Sequence, residues 1–246
     1  MPTYLQRYSS GEHEQVWAEL VALGSAVEQA PLYADAMAVA RETMTRVRKN
    51  AELVVSRLQM LDYVFEYPDH ILMEPVSDVQ KQLSQLEHYA GGRIPLALQA
   101  FYEIVGAIDW IGDHPRLASY HNAEFLPVGY TIYGDPLVVY PIQVSSTELT
   151  WVEDDEYISW DDGYSIEFAP DVYHKANVSG GESYRISVGA TFVADTLVLA
   201  EPHNTTFVNY LRAAFRWGGF PGLENDPLDD ETKADIALLT EGLVAF

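Results

Sequence analysis

The sequence predicts an α+β fold in which a central mixed or antiparallel sheet is flanked by helices and preceded by an N-terminal helical extension. Three observations support this class. Before residue 106, apolar residues recur at spacings of three and four, which is typical of amphipathic helices. After residue 106, short β-branched and aromatic runs alternate with Gly, Pro, Asp and Asn, which is typical of strands. From residue 204 onwards the helical spacing returns, so we expect helices to close the chain.

The N-terminal extension, residues 1–72, is predicted to contain a pair of helices. The first covers residues 12–23 and ends at Gly24. Pro31 can open a second, unusually long helix, since neither Gly nor Pro interrupts residues 32–67. We expect this pair to pack on the rest of the chain or on a second copy, which would form a homodimer.

The main α+β domain, residues 73–225, is predicted to begin with two helices that meet at a corner. Ser77 and Gln80 match a capping box, in which each side chain satisfies a free backbone donor at the start of a helix. Gly91 and its neighbour Gly92 can take the left-handed backbone that ends this helix. Pro95 suits the first turn of the next one. The apolar face of that second helix is formed by Leu98, Phe101, Tyr102 and Val105.

Strands are predicted after this corner at residues 107–111, 128–133, 137–142, 164–168, 184–189 and 196–200. Pro136 and Pro141 bracket one of them, which suits the edge of a sheet. Gly180 and Gly181 suit the turn of a hairpin between two others. Ser145 is expected to begin a short helix that ends near Glu153.

Two further helices are predicted near the end of the chain. Asn204 suits the N-cap of the first, and Gly218 with Gly219 suits its end. Residues 226–246 are predicted to be a C-terminal tail whose helix begins after Pro227. The three predicted parts are therefore 1–72, 73–225 and 226–246.

Composition restricts the function. The chain has 246 residues, 48% of them hydrophobic, so it can bury a sizeable core. Its formal net charge of -23 repels phosphate backbones and anionic lipid, which makes nucleic acid and membranes poor direct partners. It contains no Cys and no apolar stretch of the ~18 residues that span a bilayer, so we expect a cytoplasmic protein.

Basic residues are concentrated on the predicted long helix. Five of the 14 occur there, namely Arg41, Arg46, Arg48, Lys49 and Arg57. Charge runs on long helices usually face water, so we expect neighbouring acidic side chains to neutralise them rather than a binding patch.

Acidic residues are most concentrated between two predicted elements of the main domain. They are Glu153, Asp154, Asp155, Glu156, Asp161 and Asp162. These carboxylates can dock a basic protein surface, and they are the predicted partner-binding residues. The competing interpretation is a loop that is merely solvated.

No motif identifies a reaction. The chain lacks G-x-S-x-G, the P-loop and G-x-G-x-x-G. Its seven histidines show neither H-x-H nor H-x-x-x-H spacing. We therefore predict no catalytic residues, no cofactor and no metal site.

One polar segment offers an alternative. Asp171 could orient His174 as a general base, and Lys175 could stabilise negative charge in a small-molecule pocket. The competing structural interpretation is that Asp171 and Asn177 bind turn backbone, while the two basic side chains lie at the margin of a strand.

Residues 76–223 resemble the SUKH superfamily, also called the Smi1/Knr4 superfamily. The resemblance rests on Ile94-Pro95 followed by Leu98, Phe101, Tyr102 and Gly106, on Asp135-Pro136-Leu137, and on the segments 171–181 and 204–222. It implies an α+β fold without a catalytic site. Many bacterial members are thought to be immunity proteins that neutralise toxins, and eukaryotic members are regulatory interaction modules.

Three hypotheses follow. The first is a non-enzymatic protein-binding module, an immunity-type inhibitor of a basic toxin or effector. The second is a small-molecule enzyme that uses Asp171, His174 and Lys175. The third is a regulatory homodimer formed through the N-terminal helices.

Overall fold

The computed structural model describes residues 2–121, 131–142, 164–189, 191–225 and 227–246. Within these ranges the α-helices are α1 (Tyr4–Ser9), α2 (His13–Ala22), α3 (Leu32–Met60), α4 (Val79–Ala90), α5 (Leu96–Ile104), α6 (Val172–Lys175), α7 (Phe207–Arg216) and α8 (Asp230–Thr240). Short 3₁₀ helices cover Gly24–Glu28 and Pro221–Asn225. The α+β class and the N-terminal helical region are thereby confirmed.

The described strands form three small antiparallel sheets. The strands are β1 (Val64–Phe65), β2 (Leu72–Met73), β3 (Ala107–Asp109), β4 (Gly112–Asp113), β5 (Val138–Val139), β6 (Tyr164–Ala169), β7 (Tyr184–Val188) and β8 (Val198–Leu199). They pair in the orders β1-β4, β2-β3-β5 and β6-β7-β8. Strand β5 lies at an edge of its sheet, as the flanking prolines predict. The segment before residue 73 contributes β1 and the first residue of β2, because β2 spans the predicted boundary between residues 72 and 73.

Helix α3 is the longest element, with 29 residues. It ends at Met60, earlier than Pro68, because Asp62 adopts left-handed backbone with φ of 57° and the chain then pairs with β4. Its apolar face is buried within the chain, where it packs on α1, α5 and α8. The buried apolar residues of this face are Ala36, Met37, Val39, Ala40, Met44, Val47, Ala51, Val54 and Leu58. The face is thus covered by the chain itself, and a homodimer through these helices stays a prediction.

The predicted neutralisation of the α3 cations is confirmed for three of them. Arg41 pairs with Glu103 and Arg46 with Glu42, while Arg48 reaches both Glu52 and Glu74. Arg57 instead donates to the carbonyl oxygen of Leu239 on α8, at 3.1 Å. These arginines therefore bind neighbouring elements rather than form a free basic patch.

The corner between α4 and α5 is confirmed, but the capping box predicted at the start of α4 is wrong. Gly91 has φ of 62° and ends α4, as its lack of a Cβ predicts. Helix α4 begins at Val79 instead of near Ser77. Its N-cap is Asp78, whose side chain makes no cap hydrogen bond.

The predicted N-cap at Asn204 is also wrong. Asn204 has φ of 50° and lies in a turn before α7, whose N-cap is Thr206. The predicted hairpin is confirmed, since β6 and β7 pair antiparallel and Gly180 and Gly181 lie in the connection between them; this connection is long, because it also contains α6. The helix predicted at residues 145–153 lies outside the described residues, as do residues 128–130 of the strand predicted at 128–133, and residues 131–133 form no strand.

Within the described ranges, no helix has the length and apolar character needed to cross a membrane.

Candidate functional site

A cleft of about 460 Å³ opens beside the β2-β3-β5 sheet. Its walls bring together residues that are up to 107 positions apart in the chain, since they run from Tyr67 to His174. The lining residues are Tyr67, His70, Met73, Ala107, Ile108, Asp109, Ile111, Tyr120, Tyr140, Pro141, Pro170 and His174. Its size is within the range of small-molecule sites.

Asp109 supplies the carboxylate of the cleft. It is the last residue of β3, whose two preceding residues are buried and apolar. Its Oδ1 accepts the backbone N–H of Ile111 at 3.0 Å. Burial raises the pKa of Asp109, because desolvation disfavours its charged form more than this hydrogen bond favours it. No basic side chain among the described residues forms an ion pair with it.

Three tyrosines form the aromatic walls. The hydroxyls of Tyr67 and Tyr120 lie 3.4 Å apart, and their rings meet edge to face with centroids 6.4 Å apart. The hydrogen bond between them, together with desolvation, raises the pKa of Tyr120 to about 12. Burial raises the pKa of Tyr140 as well. The phenols of Tyr120 and Tyr140 are therefore neutral near pH 7.

Backbone hydrogen bonds fix these walls. The carboxylate of Asp113 on β4 accepts the N–H of Tyr120 at 2.7 Å, and the N–H of Tyr140 donates to Phe168 on β6 at 2.7 Å. His70 closes a turn by donating its N–H to the carbonyl oxygen of Tyr67 at 2.9 Å, and its ring stacks on that tyrosine. Strands of two neighbouring sheets, β4 and β6, therefore position Tyr120 and Tyr140.

An aspartate–histidine pair stands at one side of the cleft. Asp171 is the N-cap of α6 and accepts the backbone N–H of Tyr173 at 2.7 Å. Its other carboxylate oxygen contacts Nδ1 of His174. Gly181 has φ of 85° and packs directly against this carboxylate, where a Cβ would collide. Asp171 is buried, whereas His174 is half exposed and lines the cleft.

Lys175 does not join this pair. Successive residues on a helix point about 100° apart, so His174 faces the cleft while Lys175 faces the interior. Its ammonium group lies 2.6 Å from Oδ1 of Asp135 and 4.7 Å from the centre of the Tyr184 ring. The structure therefore brings together two of the three residues that the alternative prediction required. The predicted placement of His174 and Lys175 at a strand margin is wrong, since both belong to α6.

The six acidic residues predicted to bind a partner, from Glu153 to Asp162, lie outside the described residues. The sequence reasoning missed the residues that make the cleft: Tyr67, Asp109, Tyr120 and Tyr140. A signal existed for one of them. Asp109 is a charged residue within an apolar strand, a position that usually needs a structural or functional reason.

The histidines of the described ranges form no metal site, since no group of three or more His, Asp or Glu side chains there is arranged to hold an ion. His203 is the most enclosed by acids, with Glu201 and Glu224 on either side.

Comparison with family models, with curated proteins and with solved structures gives no match for this chain.

Proposed function

We propose that the chain is a non-enzymatic binding protein for a basic protein partner, in the manner of an immunity protein that neutralises a toxin or effector, and that it acts in the cytoplasm. The observation that carries this proposal is the excess of acidic over basic side chains, 37 against 14. The resemblance to the SUKH superfamily supports it, since such a protein needs no catalytic site.

The way the basic residues are used strengthens this charge argument. Nine of the 14 are engaged in ion pairs with carboxylates of the same chain. They are Arg7, Arg41, Arg46, Arg48, Arg93, Arg116, Lys175, Arg185 and Lys233. Few cations are left to offset the remaining acids at the surface. A surface of this kind attracts a basic partner over several ångströms and accelerates their encounter.

The test is affinity capture from a lysate of the source cell, followed by kinetics with the purified captured protein. We expect a basic partner that is retained at about 50 mM salt and lost at about 500 mM. At the higher concentration, salt shortens the distance over which two charges attract each other to a few ångströms. Association should slow as salt rises. An acidic or neutral partner, or an association rate that ignores salt, would overturn the proposal.

Charge-neutralised variants then locate the docking face. The first variant carries Glu153→Gln, Asp154→Asn, Asp155→Asn and Glu156→Gln. The matched control changes the net charge equally through four exposed acids elsewhere: Glu14→Gln, Asp62→Asn, Asp69→Asn and Glu241→Gln. If the acidic segment docks the partner, the first variant loses far more affinity than the control. Equal losses would remove this segment as the docking face.

A second candidate function is acid–base chemistry on a small molecule in the cleft. The contact between Asp171 and Nδ1 of His174 favours it, because this arrangement orients an imidazole for proton transfer. Lys175 has no part in it. We would follow a metabolite extract by NMR with the wild-type protein and with His174→Gln. Turnover by the wild type alone would favour the enzyme, and identical spectra would favour the binding protein.

A further inference from the structure

We propose that the cleft recognises one organic cation, an ammonium or guanidinium group held against the carboxylate of Asp109 and between the rings of Tyr67, Tyr120 and Tyr140. Such a group has two sources, a free amine or the Lys or Arg side chain of a protein. Where the source is a partner protein, the inference rests on the proposed function. Where the source is a free amine, it stands alone.

The carboxylate is the first argument. Asp109 is largely desolvated, and its one hydrogen bond to described residues is the N–H of Ile111. Burying a carboxylate without a basic partner costs free energy, which an incoming cation recovers through a charge-assisted contact. Two basic side chains of the described residues, His70 and Lys175, favour its charged form from a distance without forming an ion pair with it, and Lys175 is already paired with Asp135. A cationic ligand could therefore supply the positive partner that the Asp109 carboxylate does not have among the described residues.

The rings are the second argument. Three tyrosines line one cleft, and Tyr67 is 39% exposed. A ring face attracts a cation through its quadrupole, and cages of aromatic side chains are a common way to bind ammonium groups. Met73 adds a polarisable thioether to the same lining. The cleft thus offers a carboxylate and several π faces together.

The lining also disfavours an anion. Of the twelve described residues around the cleft, none is Lys or Arg. Its polar groups are one carboxylate, three phenols and two imidazoles, and the Nδ1 of His174 already contacts Asp171. An anionic ligand would meet the Asp109 carboxylate with no Lys or Arg in the lining to offset it, and the net charge of -23 would repel it at long range.

The test is an NMR titration of the full chain with defined probes. The cationic probes are tetramethylammonium, butylammonium and butylguanidinium. The neutral and anionic controls are tert-butanol and butyrate. We expect chemical-shift changes at the cleft with the cations and none with the controls. Equal binding of tert-butanol and tetramethylammonium would show an apolar pocket and overturn the inference.

Two pairs of variants assign the site. Asp109→Asn keeps the acceptor for Ile111 and removes the charge, and it should weaken cation binding about tenfold, whereas Glu66→Gln removes a nearby charge that does not line the cleft. Tyr67→Leu should also weaken binding, whereas Tyr173→Leu removes an exposed ring that does not line the cleft. Equal effects within either pair would overturn the inference, and the tyrosine pair decides if Asp109→Asn does not fold.

A comparison of peptides with free cations distinguishes the two sources, a protein side chain and a free amine. We would compare acetyl-Gly-Lys-Gly-amide, its Arg counterpart and its norleucine counterpart. Binding of the Lys or Arg peptide in preference to butylammonium or butylguanidinium supports a protein side chain, and the reverse order supports a free amine. A basic partner that binds the wild type and Asp109→Asn equally would leave the proposed function intact and remove a partner side chain from the cleft.

Discussion

Lys175 Nζ lies 2.6 Å from Asp135 Oδ1 in the interior of the protein, and each residue is no more than 3% exposed. The second oxygen of Asp135 accepts the hydroxyl of Tyr184 at 3.1 Å. This pair joins α6 to the segment before β5. Because both charges are removed from water, neither partner can be deleted without leaving the other uncompensated.

The first prediction concerns this buried pair. Lys175→Met should lower the free energy of unfolding by about 3–5 kcal/mol, since it leaves the Asp135 carboxyl group buried without its basic partner. The double variant with Asp135→Asn should lose less than the sum of the single losses, because no orphaned charge remains. Urea unfolding followed by circular dichroism measures both. The control is Lys81→Met on the exposed face of α4. A loss no greater than the control's would show that the pair is not needed.

Local sequence signals were sufficient where one residue determines the backbone. The end of α4 at Gly91 and the glycines after α7 follow from the left-handed backbone that Gly adopts without strain, with φ of 62° at Gly91 and 63° at Gly218. The start of α7 did not follow from the sequence. Its free N–H groups are satisfied by Asp195 and Thr196 from another part of the chain, and local capping rules cannot detect such a partner.

Local sequence signals could not predict the cleft for a similar reason. Tyr67 follows β1, Asp109 ends β3 and His174 lies in α6. They become neighbours only when the whole chain folds, and no spacing in the sequence records that arrangement. The contact between Asp171 and His174 was predictable, because the two residues are three positions apart on one short helix. Lys175 was misplaced because consecutive helical residues point in different directions.

The second prediction concerns Asn50, a buried amide on α3 that holds the C-terminal segment. Its Nδ2 donates to the carbonyl oxygen of Val244 at 2.9 Å, and its Oδ1 accepts the N–H of Val244 at 2.8 Å. Asn50→Ala should cost about 2 kcal/mol of unfolding free energy, since two backbone groups lose their partners. Carboxypeptidase should also release the last residues faster. Gln59→Ala, an exposed site on the same helix, is the control, and equal behaviour would contradict this role.

The third prediction concerns the cap of α6. Asp171→Ala should destabilise the protein by about 1 kcal/mol, because it removes the acceptor for the free N–H of Tyr173. Asp171→Asn should be close to wild type in thermal unfolding, since Asn is an equally good N-cap. The control is Asp78→Ala, at an N-cap position whose side chain makes no cap hydrogen bond. Equal losses in Asp171→Ala and Asp78→Ala would show that capping does not explain the position.

Asp195 is the fully buried carboxylate that holds the start of α7. Its Oδ2 accepts the N–H of Val208 at 3.0 Å, and its Oδ1 accepts the N–H of Thr196 at 2.9 Å. Burial nevertheless raises the pKa of Asp195 to about 6, because desolvation outweighs the hydrogen bonds that favour the charged form. The folded protein therefore holds this proton at a pH where the unfolded chain has released it.

The fourth prediction is the pH dependence that follows. A carboxyl group whose pKa is raised by folding stabilises the protein fully below its unfolded pKa, and this contribution is lost as pH rises through about 6. The stability of the wild type minus that of Asp195→Asn should therefore fall by roughly 1–3 kcal/mol between pH 4 and pH 7. Paired surface acids make both proteins more stable as pH rises, and subtracting the variant from the wild type removes this shared trend. For the exposed control Asp69→Asn, the difference in stability from the wild type should not change with pH. Urea unfolding at each pH measures it, and a flat or rising difference for Asp195→Asn would show that the proton is not held.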